Sequence, residues 1–506
     1  MSLSSADLLL VNVRVLTMDP VNPEGEAVAI LGNRIRAVGS LADAREMAGH
    51  GTPVLDGGGG VAIPAFHDAH LHLLSWARLR AKVDCSGLTS LAELQARIAE
   101  TGRKEPAGSW IRASGFDDQA MVDADLPDRH ILDAAGPDHP VRLQHRGLHL
   151  DVLNTRALRL LNLWACGAPE IERDGATGQP TGRLYHAGEL LHGRLERAPE
   201  MALAADLRQA SRQLLAWGVT SVQDASFTNG AAEWELFQRL AAGGALGVRL
   251  FMLSGLAHWR ELPGASPASE FVRHGPVKVM VNEAAGSDLQ RLAMELAAVR
   301  ASGQALALHA VTEAEVVVAL DAIRRLERPA ASGPDRLEHA SVIADDWIQD
   351  IARSGTMVVG QPSLVYERGD HYRREHRPEL HGWLHRAGSL VRSGVSYAAG
   401  SDAPVTDPAP GLALFGATRR QTRGGSLLGP AEALQPAEIL RAMTLAPAAA
   451  CGATAELGSL RPGRLADITV LDPDMPQMHS AGDSRKPVRL TIMNGRVVWA
   501  SDGYSR

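Results

Sequence analysis

Six residues far apart in the chain carry side chains that can hold a divalent metal or serve its chemistry: His70 and His72 in DAHLH, Lys278 in PVKVMV, His309 in ALALHA, His339 in RLEHA and Asp402 in GSDAP. Their spacing is as informative as their types. From 278 to 309 is 31 residues, from 309 to 339 is 30 and from 339 to 402 is 63. One strand with its crossover helix takes about 30 residues, so the set recurs once per strand and helix, with one unit skipped before the aspartate. His70 and His72 sit two apart, which on an extended strand puts both imidazoles on one face. Neutral imidazole is the commonest side-chain ligand for zinc and related ions. Taken singly, His309 or His339 suits a hydrogen-bonded structural role, Asp402 a turn or N-cap before Pro404, and Lys278 an ordinary strand. In matching phase they read as a set. An unmodified Lys278 ammonium repels a cation, so it becomes a ligand only with its Nζ carboxylated to a carbamate. Asp402 can contact the metal and also take the proton of an attacking water.

The elements that must position these residues alternate. Apolar strand candidates are GVAIPAFHDAH, 220–226, 248–253, 276–282, 305–310, 336–340, 356–362 and 396–402, and segments such as EAEVVVALDAIRRLER between them have helical periodicity. Eight strands alternating with helices indicate a (β/α)8 barrel, which places its active site at the C-terminal ends of its strands. The 148 residues from His72 to Thr220 must hold a substantial insertion after the first strand. Both ends of the chain have a different texture. LLLVNVRVLTM and AVAILGNRIRAVG near the start, and VRLTIMNGRVVWA near the end, alternate like strands, with Gly32-Asn33 and Asn494-Gly495 as reversals. The expected organisation is a β-sandwich from 1–62 plus 456–506 and a barrel from 63–455 that includes an insertion at 75–205.

Composition limits the function classes. In 506 residues, 45% are hydrophobic and 22% charged, as in ordinary globular proteins. The formal charge of −7 comes with no basic run, which argues against nucleic acid and an anionic membrane as partners. No uninterrupted apolar stretch reaches the length of a membrane span, and the N-terminus lacks a signal-peptide pattern. Cys85, Cys166 and Cys451 have no paired spacing, which fits a reducing compartment. The expectation is a cytoplasmic enzyme with a small-molecule substrate.

The motifs around these residues resemble the amidohydrolase superfamily, in its family 3 branch that includes N-substituted formamide deformylases. The resemblance covers nearly the whole chain and rests on PAFHDAHLH, GVTSVQDAS, PVKVMV, LALHA, RLEHASVI, QPS, GSDAPVTDP and GSLRPGRLADITVLD. Within the insertion it rests on SWIRASGFDD, LPDRHILDAAGPDHPVRL, HLDVLNTRAL and GQPTGRL. It implies a distorted (β/α)8 TIM barrel with a small β-sandwich formed from both termini. One or two divalent ions, commonly zinc, would activate water. His70, His72, His309, His339 and Asp402 match the ligand positions, and Lys278 the position of a candidate N6-carboxylysine. A homodimer is the family expectation. His149, His145, His186 and Tyr185 are candidates to contact substrate. The chain departs from the family pattern at Ala65, His67, Asn282-Glu283, Thr312-Glu313 and Tyr185-His186.

The resemblance implies hydrolysis of an amide, formamide or related C–N bond. Two alternatives stay open at this point: deamination or ring opening of a heterocycle, and a catalytically inactive barrel kept as a binding module.

Overall fold

Strand candidates two to eight each become a strand in the computed structural model, and the first candidate is shared between two sheets. The structure describes residues 5–49, 51–80, 83–85, 87–118, 121, 126–145, 150–185, 187, 190–191, 194, 200–262, 269–281, 289–326, 333–473 and 488–501. The barrel strands are β1 (Phe66–Leu71), β2 (Val219–Asp224), β3 (Arg249–Gly255), β4 (Val272–Met280), β5 (Leu306–Ala310), β6 (Arg336–His339), β7 (Met357–Gly360) and β8 (Tyr397–Ala399). They hydrogen-bond in sequence order and all are parallel. Past the end of β8, the Asp402 amide donates to the His70 carbonyl at 2.7 Å and the His72 amide to the Ala403 carbonyl at 2.8 Å. These two bonds stitch the last strand to the first.

Almost every residue of these strands is buried, including all of β1, β2, β3, β6, β7 and β8. Helices cover the outer face of a barrel while side chains fill its interior, so neither face meets water and the strands read as continuous apolar runs. Each helix is set by local chemistry. The helix Glu313–Arg324 after β5 starts on a capping box, in which the Thr312 hydroxyl accepts from the Glu315 amide at 3.2 Å and Glu315 accepts from the Thr312 amide at 3.1 Å.

A second, eight-stranded sheet draws on both ends of the chain. Its order is Arg496–Ala500, Val488–Met493, Ile468–Leu471, Val54–Pro64, Leu8–Leu16, Ala27–Leu31 and Arg34–Gly39, with the short strand Glu24–Gly25 paired to Leu8–Leu16. The apolar run GVAIPAFHDAH is divided at Ala65, with Val54–Pro64 in this sheet and Phe66–Leu71 in the barrel. The Asn494-Gly495 hairpin turn has φ of 51° and 72°, the left-handed pair that a tight two-residue reversal demands.

The chain divides into two compact units, one of residues 1–75 and 208–506 and one of 76–207. The second unit has its own six-stranded sheet, in the order Ile171–Arg173, Pro180–Tyr185, Leu150–Leu153, Val141–His145, Ile111–Phe116 and Val83–Asp84. Leu94, Ile98, Phe116, Leu132, Leu143 and Val152 form its core. Among the described residues no helix is long and apolar enough to cross a membrane, and the three cysteines are free.

Candidate metal centre

Strand geometry brings the ligand candidates together at the C-terminal mouth of the barrel. His70 lies inside β1 and His72 directly after it. The Nε2 atoms of His70 and His72 stand 3.5 and 3.2 Å from Asp402 Oδ1, and one ligand atom from each of the three fits within 4.8 Å of the others. The His339 ring centroid lies 4.8 Å from that of His70 and 4.5 Å from that of His309. In register, Met280 at the end of β4 faces His309 on β5. Lys278 is 2% exposed, and its charge acts on His70, His309 and His339.

Alternation along β6 would turn His339 to the face opposite Arg336 and Glu338. Instead the backbone enters the left-handed region at His339 (φ 72°) and Ala340 (φ 43°), which re-aims the imidazole toward the other rings. Asp402 has φ 58°. Such conformations cost about 1–3 kcal/mol each for residues other than glycine and cluster at functional sites. Gly400 matters for space, because a Cβ there would lie 2.7 Å from both the amide nitrogen and the Cβ of His70.

The outward nitrogens of the rings are already engaged. His70 Nδ1 contacts Glu338 Oε2, His72 Nδ1 meets the Ser226 hydroxyl at 2.9 Å, and His339 Nδ1 meets Gln361 Oε1 at 3.0 Å. That pattern is how metal-binding histidines are oriented, with one nitrogen tied to the protein and the other left for the ion. His70 Nε2 is buried and has no hydrogen-bond partner. A buried nitrogen without a partner, facing a carboxylate and a second imidazole, fits a cation between them, and the donor set suits a divalent metal.

Electrostatics prepares the same state. Burial, reinforced by the Lys278 charge, pushes His70 down to about 4. Burial and His339 bring His309 down to about 4, and burial and His70 bring His339 down to about 3. All three imidazoles are therefore neutral at pH 7, as coordination requires. Burial opposes ionisation of Asp402, yet the hydrogen bond with His72 and the nearby His70 and His339 rings hold its carboxyl well below the usual range. Burial pushes the Lys278 amine down to about 8.

The remaining candidates belong to the second unit or fall outside the described residues. His149, His186 and Asn282-Glu283 fall outside the described residues. His145 ends the strand Val141–His145 of the second unit, with Nε2 3.0 Å from Asp118 Oδ1. Tyr185 ends Pro180–Tyr185 in the same sheet. Glu338, Ser226, Gln361 and Asp68 were not singled out from the sequence. Asp68 Oδ1 accepts from the amides of both His70 and Ser401 at 3.0 Å, locking β1 to the turn before Asp402. Two of these residues carried a sequence signal, since Gln361 opens QPS and Glu338 precedes His339.

Comparison with known proteins agrees with this geometry. The profile described as "Amidohydrolase family" matches residues 53–499. An N-substituted formamide deformylase of Arthrobacter pascens is 32% identical over 98% of this chain and 99% of its own. Among solved structures, a metal-dependent hydrolase of Pyrococcus horikoshii superposes with a TM-score of 0.77 at 23% identity, over 93% of this chain and 98% of that one. An adenosine deaminase from Xanthomonas campestris with bound zinc gives a TM-score of 0.54 at 17% identity, over 99% and 95% of the two chains. These two share the fold. With the family profile spanning most of the chain over a barrel-mouth cluster of imidazoles and a carboxylate, the chain belongs to the amidohydrolase family and is a metal-dependent hydrolase of carbon–nitrogen bonds other than peptide bonds.

Proposed function

We propose that the enzyme releases an amine from a formamide or a related small amide bearing an apolar N-substituent, and that zinc is its metal. The observation that carries this reading is the arrangement of His70, His72 and Asp402, beside His309, His339 and Lys278. Nitrogen and carboxylate donors of this kind suit zinc. When bound, the metal polarises the carbonyl and lowers the pKa of water. Asp402 accepts the proton as the water oxygen bonds to the carbonyl carbon. The same carboxyl then gives the proton to nitrogen as the C–N bond breaks, leaving a carboxylic acid and an amine. The Gln361 side-chain oxygen can only accept, so it keeps the His339 proton on Nδ1 and leaves the Nε2 lone pair for a metal.

Three exposed apolar residues near the ligands support an apolar substituent. Phe227 is 54% exposed, Met280 39% and Val405 44%. Phe227 follows Ser226, which holds His72. Met280 shares the strand face of Lys278 two residues earlier. The Val405 amide donates to the Asp402 carbonyl at 2.8 Å. His145, His149, His186 and Tyr185 are proposed substrate contacts.

Carboxylation of Lys278 belongs to the same proposal. Its Nζ would attack CO2, forming the N–C bond of a carbamate and releasing one proton to solvent. Burial of the amine favours the neutral form that this step needs. We propose further that the enzyme is a cytoplasmic homodimer, an expectation supported by the family resemblance.

The test is a screen of the zinc-loaded protein against formamides, N-acyl amino acids, aryl amides, ureas, cyclic amides and amino-heterocycles. N-alkyl and N-benzyl formamides should be hydrolysed, with kcat/KM rising as the substituent grows. Turnover confined to heterocycles would overturn the reading in favour of deamination or ring opening.

A further inference from the structure

The barrel interior holds a buried charged pair that packing does not require. Arg336 and Glu338 lie two apart on β6, so both face inward, and both are 0% exposed. Arg336 Nε contacts Glu338 Oε1, and Nη2 lies 3.2 Å from Oε2. The remaining guanidinium donors reach the Gln223 side-chain oxygen and, at 2.8 Å, the Ala69 carbonyl. Gln223 is itself fixed, its Nε2 donating to the Pro447 carbonyl at 2.8 Å and lying 3.1 Å from His67 Nε2. The free end of this network is Glu338 Oε2, which meets His70 Nδ1.

Taking two charges out of water is costly, and an apolar pair of similar volume is often as stable or more so. Stability alone therefore gives no reason for a guanidinium and a carboxylate here. Their geometry supplies one. A carboxylate with both oxygens engaged by Arg336 is ionised and can only accept a hydrogen bond, so the His70 proton must sit on Nδ1. The lone pair then sits on Nε2, which is 3.5 Å from Asp402.

We propose that Arg336 and Glu338 form a relay that fixes the tautomer and ring orientation of His70, which makes Glu338 a positioning residue of the metal centre. The relay anchors a β1 ligand directly to β6, while Gln223 on β2 holds Arg336 in place. The proposal rests on the reading of His70 as a metal ligand, and the two arms of its test separate that reading from the relay itself.

The first arm uses the full-length, metal-free wild type labelled with 15N-histidine, with His70→Gln to assign the signal. His70 should show a single Nδ1–H tautomer, and an Nε2–H tautomer or an even mixture would overturn the relay whatever the metal does. The second arm replaces both charges, as Arg336→Met with Glu338→Leu, and measures zinc affinity by chelator competition together with thermal unfolding. The double variant should stay folded with a single thermal transition and bind zinc about 10–100-fold more weakly, the range for lost partners of metal-binding histidines. Unchanged zinc affinity in a folded double variant would overturn the proposal. Wild-type protein that binds no zinc, while keeping the Nδ1–H tautomer, would instead defeat the zinc reading.

Discussion

At the scale of single residues, Asp402 has two tasks that its surroundings make compatible. It lies within 3.2 Å of His72 Nε2 in a backbone conformation that side-chain-bearing residues seldom adopt, and its carboxyl is held ionised. An ionised carboxylate can take a proton, and an asparagine of the same shape cannot. Asp402→Asn should therefore lower kcat by at least ~10²-fold, the usual size of a general-base contribution, while the protein still binds metal through its imidazoles. Metal content and steady-state rates of the same preparation check this, and near-normal turnover would remove Asp402 from the proton path. Part of this was legible in the sequence, because His309, His339 and Asp402 each end an apolar run and the repeat distance ties the set to strand-helix units. The partners of the ligands were not. Ser226, Glu338 and Gln361 acquire their roles through contacts between strands, to residues 154, 268 and 22 positions away, and no local pattern encodes such pairs.

At the scale of elements, the run GVAIPAFHDAH shows where periodicity misleads. Its one break signal is Pro64, and the chain changes sheets at the next residue, Ala65, whose amide donates to the Asp467 carbonyl at 3.0 Å. The two strands it yields are both buried, so their apolar character is alike and the boundary is invisible to hydropathy. The hairpins at Gly32 and Asn494 were legible because φ above zero is required there and residue type reports it. The Thr312-Glu313 pair departs from the family pattern, and its structural role is now clear. Thr312 caps the helix after β5 and Glu313 accepts from the Trp347 indole at 2.9 Å. Removal of the hydroxyl in Thr312→Ala should lower stability by about 1 kcal/mol, as for other lost N-caps, and leave kcat and metal affinity unchanged. Denaturant unfolding and steady-state kinetics on that variant check both halves, and a large loss of turnover would reassign Thr312 to the site.

At the scale of the whole molecule, the sheet built from the two ends of the chain is fastened to the barrel by buried polar groups. Arg249 on β3 is fully buried and contacts Asp467, just before the strand Ile468–Leu471, and Asn494 in the terminal hairpin. Asp467 also accepts from the Asn494 amide at 2.9 Å. The Thr469 and Thr491 hydroxyls donate to the carbonyls of Gly218 and Leu215 at 2.8 and 2.7 Å, the first of these immediately before β2. These bonds tie the terminal sheet to strands β2 and β3, so neither part can open without exposing the other's unpaired groups. Removing one partner leaves a charge stranded in the interior, which costs about 3–5 kcal/mol. Asp467→Ala should therefore destabilise the enzyme by about that amount while unfolding of sheet and barrel remains a single transition. Replacing both charges, as Arg249→Met with Asp467→Leu, should restore most of the loss, because the penalty comes from the unpaired guanidinium and not from the absence of the pair. Chemical denaturation followed by tryptophan fluorescence and by far-ultraviolet dichroism tests this. Coincident transitions are expected, and an early, separate loss of the terminal sheet with the barrel intact would show that the sheet is an independent attachment.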